Sequence, residues 1–295
     1  MDRTKIVAGL IAFLSLAGCS GSRAGPAIVV GSKNFTEQVI LGEIAAQHLE
    51  RRLHQKVERR LNLGGTLLAH QALRSGSIDL YPEYTGTALA AVLRQPIESD
   101  PAAVLARVRS AYQRQFQLEW LEPLGINNSF AMVIRGADAR ARGLATLSDA
   151  AKVTTGWALG VGYEFQQRAD GLAALDATYG LRWTAPPKSM DLGLLYQAFE
   201  QNQVSMIAAN ATDGLLSTMD LTVLRDDRHA FPPYQACLVV REDTLRRIPA
   251  LRAVLGELSG KFTERTMREL NYRVDGQHHA VAQVAAEFLK QAGLQ

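Results

Sequence analysis

The chain has 295 residues, a length that favours about two domains. Hydrophobic residues make up 47% of it and charged residues 21%, a balance that excludes a disordered, collagen-like or disulfide-rich protein. The formal net charge of +3 is too small to indicate nucleic-acid binding. No apolar run reaches the roughly 18 residues that a membrane-spanning helix needs.

The first nineteen residues have the pattern of an export signal. A basic start precedes residues 6–17, which are almost wholly apolar, and a Leu-Ala-Gly-Cys sequence ends at Cys19. This ending resembles the bacterial lipobox, whose cysteine is acylated and becomes the first mature residue. We therefore predict a signal peptide over residues 1–18, lipidation of Cys19 and a flexible tether over residues 19–26. The alternative is an ordinary secretory signal with a chance cysteine; with Cys19 acylated, Cys237 has no disulfide partner in the chain.

The first part of the mature chain alternates short apolar strands with helical segments. Strands are predicted over residues 28–32, 57–63 and 78–81, and a helix begins after each of them. A further helix is predicted from Pro101 to about Phe116. This βαβαβα order favours a mostly parallel, open α/β sheet.

A second unit begins near Asn128 and continues the alternation. Residues 129–135 and 236–241 are strands that we interpret as candidate crossovers between two lobes. Between them the pattern predicts strands over 157–162, 181–184, 204–208 and 222–224, and helices over 164–179, over 192–200 and from Asp213.

Two crossovers imply that the first lobe is discontinuous. Residues 27–128 and 236–295 are predicted to form it, and residues 129–235 to form the second lobe. Open α/β sheets bind ligands beyond the carboxyl ends of their strands, so we expect a ligand cleft between the lobes.

No catalytic motif is recognisable in the sequence. It lacks the Gly-x-Ser-x-Gly elbow, the phosphate-binding Gly-x-x-x-x-Gly-Lys-Ser/Thr loop and the His-Glu-x-x-His zinc motif. His48 lies on an apolar helical stripe, where a core histidine is expected, and His278 and His279 would diverge on a helix. We therefore predict no catalytic residue, no metal site, no cofactor and a non-enzymatic function.

Three segments resemble one family of transport proteins. They are GSKNFTEQ at residues 31–38 with ILGE at 40–43, LGGT at 63–66, and GSIDLYPEYTGTA at 76–88. Together they are similar to the quaternary-ammonium branch of ABC-importer solute-binding proteins, which capture glycine betaine, choline, carnitine or proline betaine. The resemblance covers nearly the whole mature chain. It implies an α/β, two-lobed periplasmic-binding-protein fold of type II, with a discontinuous first lobe and the ligand cleft between the lobes.

The resemblance also nominates site residues in the first lobe. Tyr84 and Thr87 match ligand-contacting positions of the family, and Lys33 falls where some members carry a carboxylate-binding polar side chain. The chemistry agrees, because aromatic faces attract a quaternary cation and a carboxylate needs donors. The alternatives are core packing for Tyr84 and a surface ion pair for Lys33. Residues 64–66 form either an anion seat or only the start of a helix.

In the second lobe and the crossovers the sequence departs from the family pattern. Phe130 occupies a cage position that is commonly tyrosine, and Asn210 stands where members with a full cage often have tyrosine. Tyr234 matches an aromatic residue of the family, and we add Tyr163 because it ends a predicted second-lobe strand. A cage without one ring and one phenol would bind betaines more weakly, or would bind a different head group.

The sequence thus predicts a lipid-anchored solute receptor of an ABC importer on the periplasmic or cell-surface side of a membrane. Expected partners are a small quaternary amine, the permease with its ATPase, and the membrane through the lipid on Cys19. No nucleic acid is expected, and the protein is expected to be a monomer. Three other interpretations stay open: a receptor for another zwitterion or amino-acid derivative, a periplasmic enzyme acting on a small carboxylate, and a sensory receptor.

Overall fold

The computed structural model describes residues 27–294, in which ten strands form two sheets covered by helices. The predicted signal peptide, the lipidation site Cys19 and the tether lie outside these residues. In chain order the strands are β1 (Ile28–Gly31), β2 (Val57–Arg60), β3 (Leu80–Tyr84), β4 (Leu118–Trp120), β5 (Phe130–Arg135), β6 (Leu159–Gly162), β7 (Lys188–Met190), β8 (Met206–Asn210), β9 (Leu221–Leu224) and β10 (Ala236–Arg241).

The helices fill the connections between these strands and form the C-terminal part of the described chain. None of those within residues 27–294 combines the length and the apolar character needed to cross a bilayer. They are α1 (Thr36–Leu53), α2 (Thr66–Arg74), α3 (Thr85–Thr87), α4 (Pro101–Phe116), α5 (Gly136–Arg142), α6 (Leu147–Ala150), α7 (Tyr163–Gln167), α8 (Leu172–Tyr179), α9 (Leu192–Glu200), α10 (Glu242–Arg247), α11 (Leu251–Gly256), α12 (Glu264–Asp275) and α13 (Val281–Gln291). A π-helical turn (Ala88–Val92) extends α3, and a 3₁₀ turn (Gly214–Ser217) follows β8.

Each lobe is built on one sheet, and the two sheets have the same design. The order is β2-β1-β3-β10-β4 in the first lobe and β7-β6-β8-β5-β9 in the second. Only β10 and β5 run antiparallel to their neighbours, which confirms the expected mostly parallel α/β arrangement. In each sheet the reversed strand is the one that follows a passage between the lobes.

The passage between the lobes lies just before the two strands that we interpreted as crossovers. Strands β5 and β10 each belong to one sheet only, so the expectation that they cross between lobes is wrong. The connecting segments before them run side by side and form an antiparallel bridge between Asn127 and Gln235. The lobe boundaries predicted at residues 128 and 236 remain predictions.

Three local predictions in the second lobe are wrong. Residues 181–184 form no strand, and β7 lies further along the chain. The helix predicted over residues 164–179 is broken between α7 and α8, where the backbone of Arg168 is extended and Gly171 permits a close approach to the carbonyl oxygen of Phe165. The helix expected from Asp213 is only the short 3₁₀ turn. The break between α7 and α8 matters most for the site, since it turns Arg168 toward the cleft.

A second contact joins the lobes on the side of the C-terminal helices. Helix α12, which packs with α13 on α1, also rests on the 3₁₀ turn of the second lobe. A Cβ atom at Gly214 would clash with the backbone of Tyr272, so glycine permits this close approach. The buried thiol of Cys237 lies on β10 in the first-lobe core.

Candidate functional site

One large cavity of about 970 Å³ lies between the two lobes. Its volume is at the upper end of the roughly 300–1,000 Å³ typical of small-molecule sites. The cavity lies where the sequence analysis predicted a ligand cleft, between the lobes. All seven residues nominated from the sequence line it: Lys33, Tyr84, Thr87, Phe130, Tyr163, Asn210 and Tyr234.

Lys33 follows β1 and is buried in the cavity wall, with its side chain 2% exposed. Its Nζ atom lies 2.6 Å from Oε1 of Glu83 and 3.3 Å from the hydroxyl of Thr66. The same ammonium group lies 4.8 Å from the centre of the Tyr84 ring. Lys33 therefore does form an ion pair, but a buried one, and the alternative of a surface ion pair is wrong.

Tyr84 ends β3 and turns its ring into the cavity. Phe35 stacks with it at a centroid distance of 6.2 Å and an interplanar angle of 21°. Its hydroxyl donates a hydrogen bond of 2.7 Å to Glu37. Burial and the neighbouring Glu37 raise the pKa of Tyr84 well above its usual value, so the phenol remains a donor. Thr87, three residues later in α3, is also buried in the wall.

A second part of the wall is aromatic: Phe130, Phe165 and Tyr234 line the cavity, and Phe231 packs behind them. These four residues are here called the cleft cluster. Phe130 meets the other three edge to face, at centroid distances of 4.8 Å from Phe165 and 5.5 Å from both Phe231 and Tyr234. The guanidinium of Arg168 lies 5.2 Å from the Phe130 centroid and 5.7 Å from that of Tyr234. The cluster thus already attracts a cation to two of its ring faces.

Arg168 is held in place by two carboxylates. It donates to Asp170 at 2.9 Å and to Glu164 at 3.5 Å, and Asp170 also accepts a 2.7 Å bond from the Tyr234 hydroxyl. Sequence analysis missed Arg168 because a continuous helix was predicted through it. The Asp170-Gly171 dipeptide, a frequent turn signal, was the available clue.

Residues 64–66 lead into a helix, and the anion bound there is a carboxylate of the chain itself. Helix α2 begins at Thr66, whose backbone N–H and hydroxyl both donate to the Glu164 carboxylate, the hydroxyl at 3.0 Å. Glu164 comes from the second lobe, so the contact spans the cleft. Although burial alone would raise the pKa of Glu164, the charges of Lys33 and Arg168 and the Thr66 hydrogen bonds hold it below its ordinary value.

Asn210 stands in a polar corner of the cavity. Its backbone N–H and its Nδ2 atom donate to Asp213, at 3.0 and 3.3 Å, and the Tyr196 hydroxyl donates to the same carboxylate at 3.0 Å. Burial raises the pKa of Asp213 to about 6. Where a full aromatic cage would have another ring, this cavity therefore has an amide and a carboxylate.

Tyr163 is the least enclosed of the nominated residues. It begins α7 at the cavity rim and is 52% exposed. Sequence analysis did not single out Glu37, Glu164 or Asp213, although all three line the cavity. Within residues 27–294, no three histidine, cysteine, aspartate or glutamate side chains converge in a way that could hold a metal ion.

Comparison with known proteins identifies relatives over almost the whole described chain. The family model OpuAC, the substrate binding domain of ABC-type glycine betaine transport systems, matches residues 26–291. The carnitine transport binding protein OpuCC of Listeria monocytogenes is 32% identical over 95% of this chain and 93% of its own length. A solved structure described as a glycine betaine/carnitine/choline ABC transporter superposes with a TM-score of 0.76 at 29% identity, covering 90% of this chain and 99% of that one.

One relative is considerably longer than this chain. The ergothioneine transport permease/ergothioneine binding protein EgtU of Helicobacter pylori is 34% identical over 90% of this chain. The match covers 48% of that relative, so the chain spans about half its length.

Proposed function

Because the chain belongs to the OpuAC family, the substrate-binding domains of ABC-type glycine betaine transport systems, we propose that its cleft binds a quaternary amine that also carries a carboxylate. The protein is a substrate-binding protein of the glycine betaine, carnitine and choline type, with the two-lobed type II fold. The proposal concerns which ligand the cleft takes and which residues hold it.

The observation that carries this proposal is the pairing of aromatic faces with two cations around one cavity. Tyr84 and the cleft cluster offer ring faces, each contact with a ligand cation contributing about 0.5–2 kcal/mol. Lys33 and Arg168 line the same cavity, and although each is paired with a carboxylate of the chain, each has further N–H donors for a ligand carboxylate. Thr87 lies one helical turn beyond Tyr84, where its hydroxyl supplies a further donor.

A second candidate is a zwitterion with a larger or more polar side group. Asn210 and Asp213 favour it, because they replace an aromatic wall with hydrogen-bonding groups. The cavity of about 970 Å³ also has room beyond a small betaine. One relative is named for ergothioneine and another for carnitine, and these names support including both compounds in any screen.

The partners follow from the same proposal. The loaded protein would deliver its solute to an ABC permease driven by its ATPase, without chemical change of the solute. The Leu-Ala-Gly-Cys sequence supports attachment to a membrane, outside the cytoplasm, through lipidated Cys19. In this proposal the protein acts as a monomer. Loss of metabolic palmitate labelling in Cys19→Ala is the expected result, and unchanged labelling would refute the anchor.

Calorimetry with the purified protein tests the ligand. The panel is glycine betaine, choline, carnitine and ergothioneine, titrated into the wild type, Tyr84→Ala and a matched control, Tyr179→Ala. Tyr179 is a buried tyrosine of the second lobe that does not line the cavity. We expect at least one of the carboxylate-bearing compounds, glycine betaine, carnitine or ergothioneine, to bind, about tenfold more weakly to Tyr84→Ala and equally well to Tyr179→Ala. Heat with choline alone would refute the role of the carboxylate. The absence of heat with every compound would refute the proposal.

A further inference from the structure

Glu37 lies where the two lobes and the cleft meet. It is in the first turn of α1, is 2% exposed and lines the cavity. Its Oε1 atom accepts hydrogen bonds from the Tyr84 hydroxyl at 2.7 Å and from Nδ2 of Asn128 at 2.9 Å. Its Oε2 atom accepts from the Thr212 hydroxyl and, at 3.4 Å, from Nδ2 of Asn271.

These four donors come from four different parts of the fold. Tyr84 ends a strand of the first lobe, and Asn128 lies in a connection between the lobes. Thr212 belongs to the second lobe, and Asn271 lies on α12. Further bonds close the network, because Asn271 also donates to the Thr212 carbonyl at 2.8 Å. A shift of one lobe against the other therefore changes the surroundings of this carboxylate.

The carboxyl group of Glu37 has no counterion in the described chain. Other buried acids near the cleft are paired, Glu83 with Lys33 and Asp170 with Arg168. No lysine, arginine or histidine within residues 27–294 lies within ion-pair distance of Glu37. Burial raises the pKa of Glu37, and the four hydrogen bonds oppose that rise by favouring the ionised form. Four donors also match the roughly four lone-pair positions of an ionised carboxylate.

We propose that Glu37 is the residue that makes the cleft select a cation over a neutral ligand of the same shape, and that it positions the Tyr84 ring. This inference rests on the proposed function. A buried carboxylate held by neutral donors leaves a negative charge in the wall that a ligand cation can balance. By accepting the Tyr84 hydroxyl bond, the same carboxylate fixes the ring and enriches its electron density toward a cation.

The experiment compares each quaternary amine with its carbon isostere, in which a tert-butyl group replaces the trimethylammonium group. Choline, glycine betaine and their isosteres are titrated into the wild type, Glu37→Gln and Glu43→Gln. Glu43 is the matched control, because it is also buried on α1, lies outside the cavity and pairs with Arg59 at 3.1 Å. Circular dichroism and urea unfolding establish that each variant is folded.

In the wild type we expect the charged ligand to bind more tightly than its isostere. Glu37→Gln should lower that preference about tenfold, almost entirely through weaker binding of the charged ligand, and Glu43→Gln should leave it unchanged. Equal weakening of both ligands by Glu37→Gln would show a merely structural role and overturn the inference. If the wild type binds no quaternary amine, the proposed function fails as well, and the two failures are thus distinguishable.

A second variant keeps the test decisive should Glu37→Gln not fold. Tyr84→Phe retains the ring and removes only the hydroxyl that donates to Glu37. We expect it to weaken binding of the charged ligand about threefold and to leave the isostere unaffected. An unchanged preference in Tyr84→Phe would overturn the positioning role.

Discussion

Two aromatic clusters in this protein are built from similar residues and differ in what surrounds them. Three of the four rings of the cleft cluster line the cavity. A second group, the core cluster, lies where α2, α4 and β4 meet in the first lobe and comprises His70, Tyr112, Phe116 and Trp120. Both pack edge to face, with neighbouring centroids 4.8–6.1 Å apart in the cleft cluster and 4.8–5.3 Å apart in the core cluster.

The polar atoms separate the two clusters. In the core cluster, both ring nitrogens of His70, the Tyr112 hydroxyl and the Trp120 indole nitrogen are buried without a hydrogen-bond partner in residues 27–294. In the cleft cluster the Tyr234 hydroxyl is bonded to Asp170, and a nearly buried guanidinium covers two rings. A guanidinium lies over the core cluster as well, since Arg74 is 5.0 Å from the Phe116 centroid. What separates the two clusters is therefore whether the polar atoms of their rings have hydrogen-bond partners.

Replacing Trp120 with alanine should have the largest effect on the core cluster. The side chain is 2% exposed, and removing it leaves a cavity that costs about 3–5 kcal/mol of unfolding free energy. Urea denaturation measures this loss, and calorimetry on the folded protein should give an unchanged ligand affinity. A weakened affinity at unchanged stability would break the distinction between the clusters.

The unpartnered His70 should make the core cluster sensitive to acid. Burial lowers the pKa of His70 from 6.5 to about 4, so the folded state binds a proton less readily than the unfolded state. Its contribution to stability is therefore fully present above pH 6.5 and is lost as the pH falls toward 4.

Relative to His70→Leu, the wild type should lose about 3 kcal/mol of unfolding free energy between pH 7 and pH 4. Parallel urea titrations of the two proteins across this range measure the difference. A difference in unfolding free energy between the two proteins that stays constant at every pH would contradict a buried, unpartnered imidazole.

Replacing Phe130 with leucine should affect the cleft cluster through binding. The ring face is lost while most of the apolar volume remains, so affinity for the best quaternary amine should fall about tenfold. Unfolding free energy should fall by only about 1 kcal/mol, from the lost edge-to-face contacts. Calorimetry and urea denaturation give both values, and an unchanged affinity would remove Phe130 from the binding wall.

Tyr163 at the rim should show the smallest effect. Because it is 52% exposed, Tyr163→Ala is expected to change the unfolding free energy by less than about 0.5 kcal/mol. Its ligand affinity should change less than about threefold. A tenfold loss of affinity would instead place this ring among the enclosing walls and extend the cleft cluster to the rim.

The sequence patterns predicted those parts of the fold that local periodicity determines. The alternation of short apolar strands and helices predicted β1, α2 and α4 closely, and turn residues such as Gly65 and Pro101 fixed two helix starts. The motif match led to Tyr84, which does line the cleft. The prediction for the second lobe was less accurate, because the helical periodicity of residues 164–179 is equally consistent with a continuous helix through Gly171.

The polar part of the site could not be predicted, because it depends on contacts between distant residues. The Thr212 hydroxyl reaches Glu37 across 175 positions of sequence, and Thr66 reaches Glu164 across 98. No periodicity or spacing rule relates such residues. Glu37 lay inside a quoted motif, yet its role depends on which donors the folded chain brings to it.

The bridge between Asn127 and Gln235 places the two ends of the second lobe beside each other. A segment whose ends adjoin can be removed and replaced with little strain on the remainder. The second lobe can therefore be exchanged as a unit between two relatives, by joining the chains at Asn127 and Gln235. The ligand affinities of such chimeras would show which lobe determines the preference for each ligand.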